Sequence, residues 1–411
     1  MYDVIVVGAR AAGAPLAMLL ARRGFRVLAV DRARFPSDTI STHYIHQAGL
    51  ARLRDWGLLD TVVATGCPPV RHLNFTYTDI TLAGFADPIS GIDAVYCPRR
   101  TVLDEILVDA ARRSGAEVME GFTVTDLLEE NDSVAGIRGR DGDGRSVEFR
   151  APLVIGADGA GSTVAKLVGA QMYKHAPAGC FIFYSYYSGL DWGMQHRTGF
   201  GEQQFGSWPT NDGLSLVAVM RRRDRFRDFR ADPDAGVQEI VDAVDPVYGE
   251  QLRENGERAE PFRPMLYPDN YFRRSHGPGW ALVGDAGYHK DPFTGLGITD
   301  AFKNAELLAD RIAEGFVGAR PMAEALESYE LERDAASVHS FDFTVAISDL
   351  SLTPYHDSVF RAASHSPRYT KKFFGHIGGG ISAEEFFDPE ALAELYREVD
   401  LPEADRHLVP A

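Results

Sequence analysis

Asp3-Val4-Ile5-Val6-Val7-Gly8-Ala9-Arg10-Ala11-Ala12-Gly13-Ala14-Pro15-Leu16 is the stretch that decides the fold. Val4 to Val7 is apolar and β-branched without alternation, the pattern of a parallel strand covered on both faces. Gly8 to Gly13 make a tight turn. Pro15 stands where the first turn of a helix tolerates a missing N–H, ahead of Leu16, Leu19 and Leu20 at helical spacing. Gly24 ends that helix, and Phe25 to Val30 form a second apolar strand closed by Asp31. A βαβ unit of about thirty residues results, so the fold class is α/β with a Rossmann-like core. Small residues in such a turn let the backbone approach a pyrophosphate, and the helix N-terminus supplies unpaired N–H groups with a partial positive charge. An acidic side chain at the end of the second strand binds ribose hydroxyls. This is a dinucleotide site with one departure, Arg10 at the usual second-glycine position. Arg10 either projects outward or braces a phosphate.

The chain has 411 residues, enough for two or three domains at about 150 residues each. Hydrophobic residues make up 45% and charged residues 25%, a globular mix that excludes wholesale disorder, a collagen-like repeat and a coiled coil. Forty-two Lys and Arg stand against 59 Asp and Glu, a formal net charge of −17. That charge repels phosphate backbones and anionic lipid, so no nucleic-acid or membrane partner is expected. Cys67, Cys97 and Cys180 are scattered without CxxC or Cys/His spacing, and neither a metal site nor a disulfide framework is expected. The N-terminus lacks a basic n-region, and no apolar run reaches the roughly 18 residues that span a bilayer. A cytoplasmic location without a membrane span is expected.

Farther along, Gln47 to Leu59 and Thr101 to Ser114 carry helical spacing, and Leu73 to Tyr96 reads as short strands. Asp141-Gly142-Asp143-Gly144 inside Val134 to Phe149 signals a hairpin. Pro152 to Ala157 is another buried-type strand. Cys180 to Tyr187 and Leu214 to Met220 belong to a different, antiparallel, aromatic-rich sheet. Gly279 to Gly284 is a short apolar strand, and Ile298 to Ile312 a long helix. The remainder is mostly helical and ends in an acidic, solvated tail.

Two further turns follow strands: Gly156-Ala157-Asp158-Gly159-Ala160-Gly161-Ser162, and Gly284-Asp285-Ala286-Gly287 with Asp291-Pro292-Phe293-Thr294-Gly295-Leu296-Gly297-Ile298 opening a helix. Each alone is a weak turn motif. In this order and at these separations the three segments resemble the FAD-dependent oxidoreductases that include single-component aromatic hydroxylases, geranylgeranyl reductases and flavin halogenases. The resemblance covers roughly residues 1 to 175 and 265 to 345; the rest matches only in general layout.

That resemblance implies FAD and a set of contacts to it. Gly8, Ala12 and Gly13 would lie against the pyrophosphate, and Asp31 would take the adenosine ribose with Arg32 beside the adenine. Arg100 matches the arginine that reaches FAD near its phosphates or ribityl chain, and Val124 matches the backbone contact to adenine. Asp158 falls in the segment implicated in FAD and nicotinamide nucleotide binding. Asp285 would bond the ribityl hydroxyls, while Pro292, Gly295, Leu296, Gly297 and Ile298 would line the flavin. The helix that starts there would aim its N-terminus at the flavin's pyrimidine end. Each residue has a plainer alternative: Asp285 as a turn residue, Arg100 in an ion pair, Asp158 bracing the Gly159 turn. No second complete GxGxxG unit exists, so the reductant, NADPH or NADH, is expected to bind transiently or to be replaced by a partner reductase.

His43 and His46 follow the second strand and, in the family layout, pass near the flavin; either is a candidate to receive a proton or tune a phenol. The competing reading is a histidine bonded to backbone. Tyr184 and Tyr186 share a sheet face with Ile182 and, with Trp208, are candidates for a substrate pocket or for ordinary sheet packing. Arg221 to Arg227 is the one basic cluster, either a lure for nucleotide phosphate or a self-paired surface.

No nucleophile–base motif, paired catalytic carboxylates or GxSxG occurs. Oxygen transfer needs mainly a dry cavity, which suits this sequence. The halogenase Trp-x-Trp-x-Ile-Pro motif is absent: Trp208 stands alone before Pro209. The aromatic-x-Trp-x-Phe-Pro signature of the geranylgeranyl reductases is also missing, although Asp291 to Gly295 resembles that branch well. The expected division is an FAD-binding domain of 1–72, 97–176 and 265–345, a substrate-binding β-sheet domain of 73–96 and 177–264, and a C-terminal helical region of 346–411. The expected function is an NAD(P)H- and dioxygen-dependent monooxygenase of a hydrophobic, aromatic or polyketide-like molecule, with double-bond reduction as the alternative and halogenation third. A nucleotide-binding redox sensor is the non-enzymatic alternative, against which the aromatic second sheet argues.

Overall fold

In the computed structural model, which describes residues 1–399, the opening stretch folds as its pattern requires. Val4–Val7 is a strand, Gly13–Arg22 a helix and Val27–Asp31 the parallel neighbour of the first strand. Side chains alternate between two cores: Val4 and Val6 enter one, Ile5 and Val7 the other. This is why the run is apolar throughout rather than every second residue. The six-stranded sheet runs His276–Gly277, Trp280–Leu282, Leu153–Gly156, Val4–Val7, Val27–Asp31, Glu117–Glu120, parallel except for the antiparallel pair at its first edge. One face is covered by the helices Gly13–Arg22, Arg100–Arg113 and Gly297–Phe316, the other by the hairpin sheet of Thr123–Glu130, Ser133–Arg140 and Ser146–Arg150.

The second sheet has eight strands built around Cys180–Ser188, Ser215–Arg222, Gln203–Pro209 and Met194–Gly199 in that order. Its far side is completed by Leu73–Tyr77 and Ile80–Gly84, which come from much earlier in the chain. The expectation of an antiparallel sheet needs one correction: Leu73–Tyr77 pairs with Met194–Gly199 in parallel. A strand that arrives through a separate crossover is free to join in either direction, whereas strands linked by hairpins must alternate. Ile182, Tyr184 and Tyr186 face one core with Trp208, and Phe181, Phe183 and Tyr187 face the other with Phe205. The C-terminal helices Pro354–Ser364 and Pro367–Ile377 close the first of these faces through Phe360, Tyr369 and Phe373. Each begins on a hydroxyl cap followed by proline, Thr353-Pro354 and Ser366-Pro367, a start signal written in the sequence.

Gln47 to Leu59 is not one helix. It breaks at Gly57 (φ +77°) into Gln47–Asp55 and Leu59–Val63. Most of the expected acidic tail lies outside the described residues. Among the described residues no helix is long and apolar enough to cross a membrane. Cys67, Cys97 and Cys180 are buried and unpaired.

Candidate flavin site and its adjoining cavity

The first turn is held by backbone contacts. Gly8 leaves its strand with φ +99°; a Cβ there would meet the Ala157 carbonyl oxygen at 2.4 Å, and on Gly13 it would lie 1.8 Å from the Gly8 oxygen. Both positions admit only glycine, for reasons internal to the protein. The helix that follows starts at Ala12 without a side-chain cap, so its first N–H groups remain for a ligand. Asp31 accepts the Ala9 N–H on one carboxylate oxygen and the Ala33 N–H on the other, both at 2.8 Å. This fixes the carboxylate and leaves further lone pairs for hydroxyls. Arg32 beside it is exposed. Val124 packs under the sheet with Phe122, whose N–H donates to the Asp31 carbonyl at 2.9 Å.

Arg10 reaches across the turn to Asp104 at 2.7 Å and donates to the carbonyl and hydroxyl of Ser37 at 3.0 Å each. It braces protein, answering the question its position raised. Arg100 holds the same fully buried carboxylate from its own helix, with Nε at 3.0 Å and Nη2 at 2.9 Å from Oδ1. Asp104 was missed by sequence reading; its one signal was the i,i+4 spacing from Arg100.

Asp158 spends its carboxylate on the next helix start, accepting from Ser162 Oγ and from the Thr163 N–H at 2.6 Å each. Asp285 is different. Its side chain is 46% exposed, and its nearest partner is His289 Nδ1 at 3.4 Å. The preceding Gly284 (φ +61°) lies so close to the first turn that a Cβ would sit 2.8 Å from that of Ala12. After Pro292–Thr294 and Gly295 (φ +65°), the helix Gly297–Phe316 opens without a side-chain cap, and a Cβ on Gly297 would meet nothing within 4 Å. Leu296 and Ile298 on either side are buried. Two uncapped helix starts, a fixed carboxylate, a second carboxylate with no hydrogen bond among the described residues and open space at Gly297 fit FAD. Asp285→Asn is expected to weaken FAD binding by about 1 to 3 kcal/mol, the scale of a charge-assisted hydrogen bond, with the melting temperature of the apoprotein unchanged. Flavin fluorescence titration and thermal melts check this.

Beside the Pro292 to Gly295 loop lies a partly open, mostly apolar cavity of about 50 Å³. One wall is Pro292 to Gly295; the others come from Thr42, Tyr44 and His46, the sheet residues Leu73, Asn74, Phe75, Met194, His196 and Trp208, and Phe374 and Ile377 of the C-terminal helices. Trp208 lines it; Tyr184 and Tyr186 do not. They sit instead with His43: Tyr186 Oη meets His43 Nε2, Tyr184 Oη accepts from the Ser41 N–H, and Arg99 stacks over Tyr186. Arg99 and Arg263 share Glu260 and Asp38 in the same polar knot. In the Arg221 to Arg227 cluster, Arg221 pairs with Glu239 at 2.7 Å, Arg222 with Glu202 at 3.4 Å and Arg223 with Asp269 at 3.4 Å, all acids from outside the cluster.

Neither candidate histidine titrates near neutrality. Burial holds His43 well below 6.5, with Arg100 and Arg99 adding to the effect, and lowers His46 to about 3. The His46 Nε2–H donates to the Thr294 carbonyl at 2.9 Å, the backbone-bonded arrangement. His196, which sequence reading passed over, is lowered to about 4 by burial. The unfolded chain takes up these protons first as pH falls. Stability should therefore decline on acidification, by about 2 kcal/mol at pH 5 for each of His46 and His196. Asp291, raised to about 6 by burial, works the other way and returns about 1 kcal/mol by pH 5. Denaturant unfolding at pH 7 and pH 5 should show a net loss of about 2 kcal/mol or more.

The chain is similar to a digeranylgeranylglycerophospholipid reductase of Methanocella arvoryzae, 28% identical over 89% of this chain and 91% of that protein. Among solved structures it resembles a flavin-dependent brominase (TM-score 0.82, 19% identity, 97% of this chain and 98% of that one). It also resembles PqsL of Pseudomonas aeruginosa in complex with 2-aminobenzoylacetate (TM-score 0.71, 20% identity, 92% and 99%). The structural likenesses are likenesses of fold. Residues 1–344 match the family described as FAD binding domain. With its three glycine turns brought together, Gly8 against Ala157 and Gly284 against Ala12, this chain belongs to that family and is an FAD-dependent oxidoreductase.

Proposed function

We propose that the protein is a monooxygenase that hydroxylates or epoxidises a compact hydrophobic molecule, aromatic or polyketide-like, using NADPH or NADH and dioxygen. The observation that carries this reading is the partly open, largely apolar cavity that shares Pro292 and Gly295 with the expected flavin wall. FAD, when bound, supplies two-electron chemistry with the reductant and with oxygen. The protein's own part is to hold the cofactor through Gly8, Ala12, Gly13, Asp31, Arg32, Arg100, Val124, Asp285 and the Pro292 to Ile298 loop. It also orients the substrate and keeps water out with Phe75, Trp208, Phe374 and Ile377. In this division the segments 1–72, 97–176 and 265–345 serve the cofactor, and 73–96 and 177–264 the substrate. The C-terminal helices after residue 345 form the lid. A cytoplasmic location fits a diffusible reductant.

A second reading, reduction of a carbon–carbon double bond, is favoured by the similarity to the archaeal reductase along nearly the whole chain. Against it stands the absence around Trp208 of the aromatic-x-Trp-x-Phe-Pro signature of that branch. FAD-loaded protein, given NADPH or NADH and a panel of aromatic and polyene compounds with and without air, separates the two by mass spectrometry. The expected product gains one oxygen and requires air. A product that gains two hydrogens, formed equally without air, would replace this reading with the reductase.

A further inference from the structure

His196 lies on the strand Met194–Gly199, directly across from Gly206 and Phe75 on its two neighbours. Its ring is sandwiched between Trp208 (centroids 5.8 Å apart, planes 11°) and Phe75 (6.3 Å, 25°). Trp208 can fold over this strand pair because Gly206 lacks a side chain: a Cβ there would lie 2.9 Å from the indole. The ring's rotation is thus fixed. Its tautomer is fixed as well. Gln204 donates its amide N–H to His196 Nδ1 at 2.9 Å, and the orientation of that amide is set by Thr198 Oγ1, which donates to Gln204 Oε1 at 3.3 Å. With Nδ1 accepting, the proton of the neutral ring resides on Nε2. Nε2 has no hydrogen-bond partner among the described residues, while the ring lines the cavity, 6.3 Å from Phe293 of the flavin-facing loop.

We propose that His196 is the hydrogen-bond donor that orients substrate in this cavity, presenting Nε2–H to a neutral oxygen acceptor, such as a ketone carbonyl, on an otherwise apolar, flat molecule. This rests on the reading of the cavity as the substrate site. Of the other polar groups nearby, the Thr294 carbonyl is taken by His46 and the Trp208 Nε1–H is buried without a partner among the described residues, while Asn74 shares the cavity lining with His196 but lacks its fixed orientation between two stacked rings. Burial keeps the ring uncharged, so it selects a neutral acceptor over a carboxylate, for which an arginine would be the matched partner. His196 acts through binding and orientation; no proton leaves it.

The probes are 2-acetonaphthone and 2-ethylnaphthalene, similar in size and differing in the carbonyl. Each is titrated into FAD-loaded protein and followed by the flavin absorbance change. The decisive quantity is the ratio of the two dissociation constants. His196→Phe, which keeps the aromatic stack, should shift that ratio about fivefold against the ketone, the effect of one hydrogen bond, and leave the hydrocarbon's affinity unchanged. Gln204→Leu, which frees the tautomer, should shift it in the same direction by less, and it serves if His196→Phe fails to retain FAD. The carbonyl stretch of the bound ketone should move to lower frequency in the wild type and return in His196→Phe. An unchanged ratio and stretch in both variants would overturn the role of His196 while leaving the cavity's function standing. If neither probe perturbs the flavin or binds, the cavity reading falls and this inference with it.

Discussion

Gly13→Ala is expected to destabilise the protein by about 3 kcal/mol, the upper part of the range for overpacking, and to strip it of FAD during purification. The new methyl carbon would stand 1.8 Å from the Gly8 carbonyl oxygen and 3.0 Å from the Ala157 Cβ, neither of them the end of a flexible side chain that could yield. The sign of the result is informative, because in an unconstrained helix the same change would stabilise by up to about 1 kcal/mol. Relief requires the helix start to move away from the strand. That displaces the N–H groups of residues 11 to 13 and pulls the turn from Asp31, which holds the Ala9 N–H. Thermal unfolding and the ratio of flavin to protein absorbance read the two consequences separately. A variant with wild-type stability and full flavin content would show that the turn is not packed as described.

Asp104→Leu should cost about 3 kcal/mol or more, the scale for removing one partner of a buried ion pair. The carboxylate is fully buried between two guanidiniums, and Arg100 has no other partner among the described residues. Arg10 keeps Ser37 and retains partial exposure, so most of the penalty falls on Arg100. Asp104→Asn, which keeps the shape and removes the charge, should lie between wild type and Leu. The two substitutions also test the brace: with Asp104 gone, Arg10 no longer ties the Gly8 to Gly13 turn to the helix Arg100–Arg113, and FAD affinity should drop along with stability. Denaturant unfolding of the apoprotein and flavin titration distinguish the effects. Loss of FAD without loss of apoprotein stability would mean that Arg100 serves the cofactor and gains nothing from Asp104.

These two sites mark the division between what could and could not be read from the chain. Gly8, Gly13, Asp31 and Gly284 were legible because each answers a local demand, a positive φ, a helix starting directly after a strand, a strand end. Such demands leave a pattern within a few residues. The same holds for the alternation of Cys180–Ser188, whose two faces enter two cores as the period of two requires. Asp104 was not legible, because its partner Arg10 is 94 residues away and nothing in either neighbourhood announces the other. His43 and His46 were conspicuous by type, but burial, which is a property of the folded whole, moved both away from neutrality. The pocket followed the same rule: Trp208 lines it and Tyr184 does not, although both point to one core.

By itself the sequence determined the α/β class, the flavin family and the glycine turns that follow the strands, since these rest on hydrophobic period, glycine geometry and helix capping, all short-range. Only the tertiary structure decided that Leu73–Tyr77 joins the second sheet in parallel, that Arg10 pairs with Asp104, and that Asp158 caps a helix while Asp285 stays half-exposed beside His289. It alone set His196 between Phe75 and Trp208 with its tautomer locked by Gln204. Those outcomes depend on which distant segments meet, and the free energy of such meetings is spread over contacts that no single stretch of chain contains.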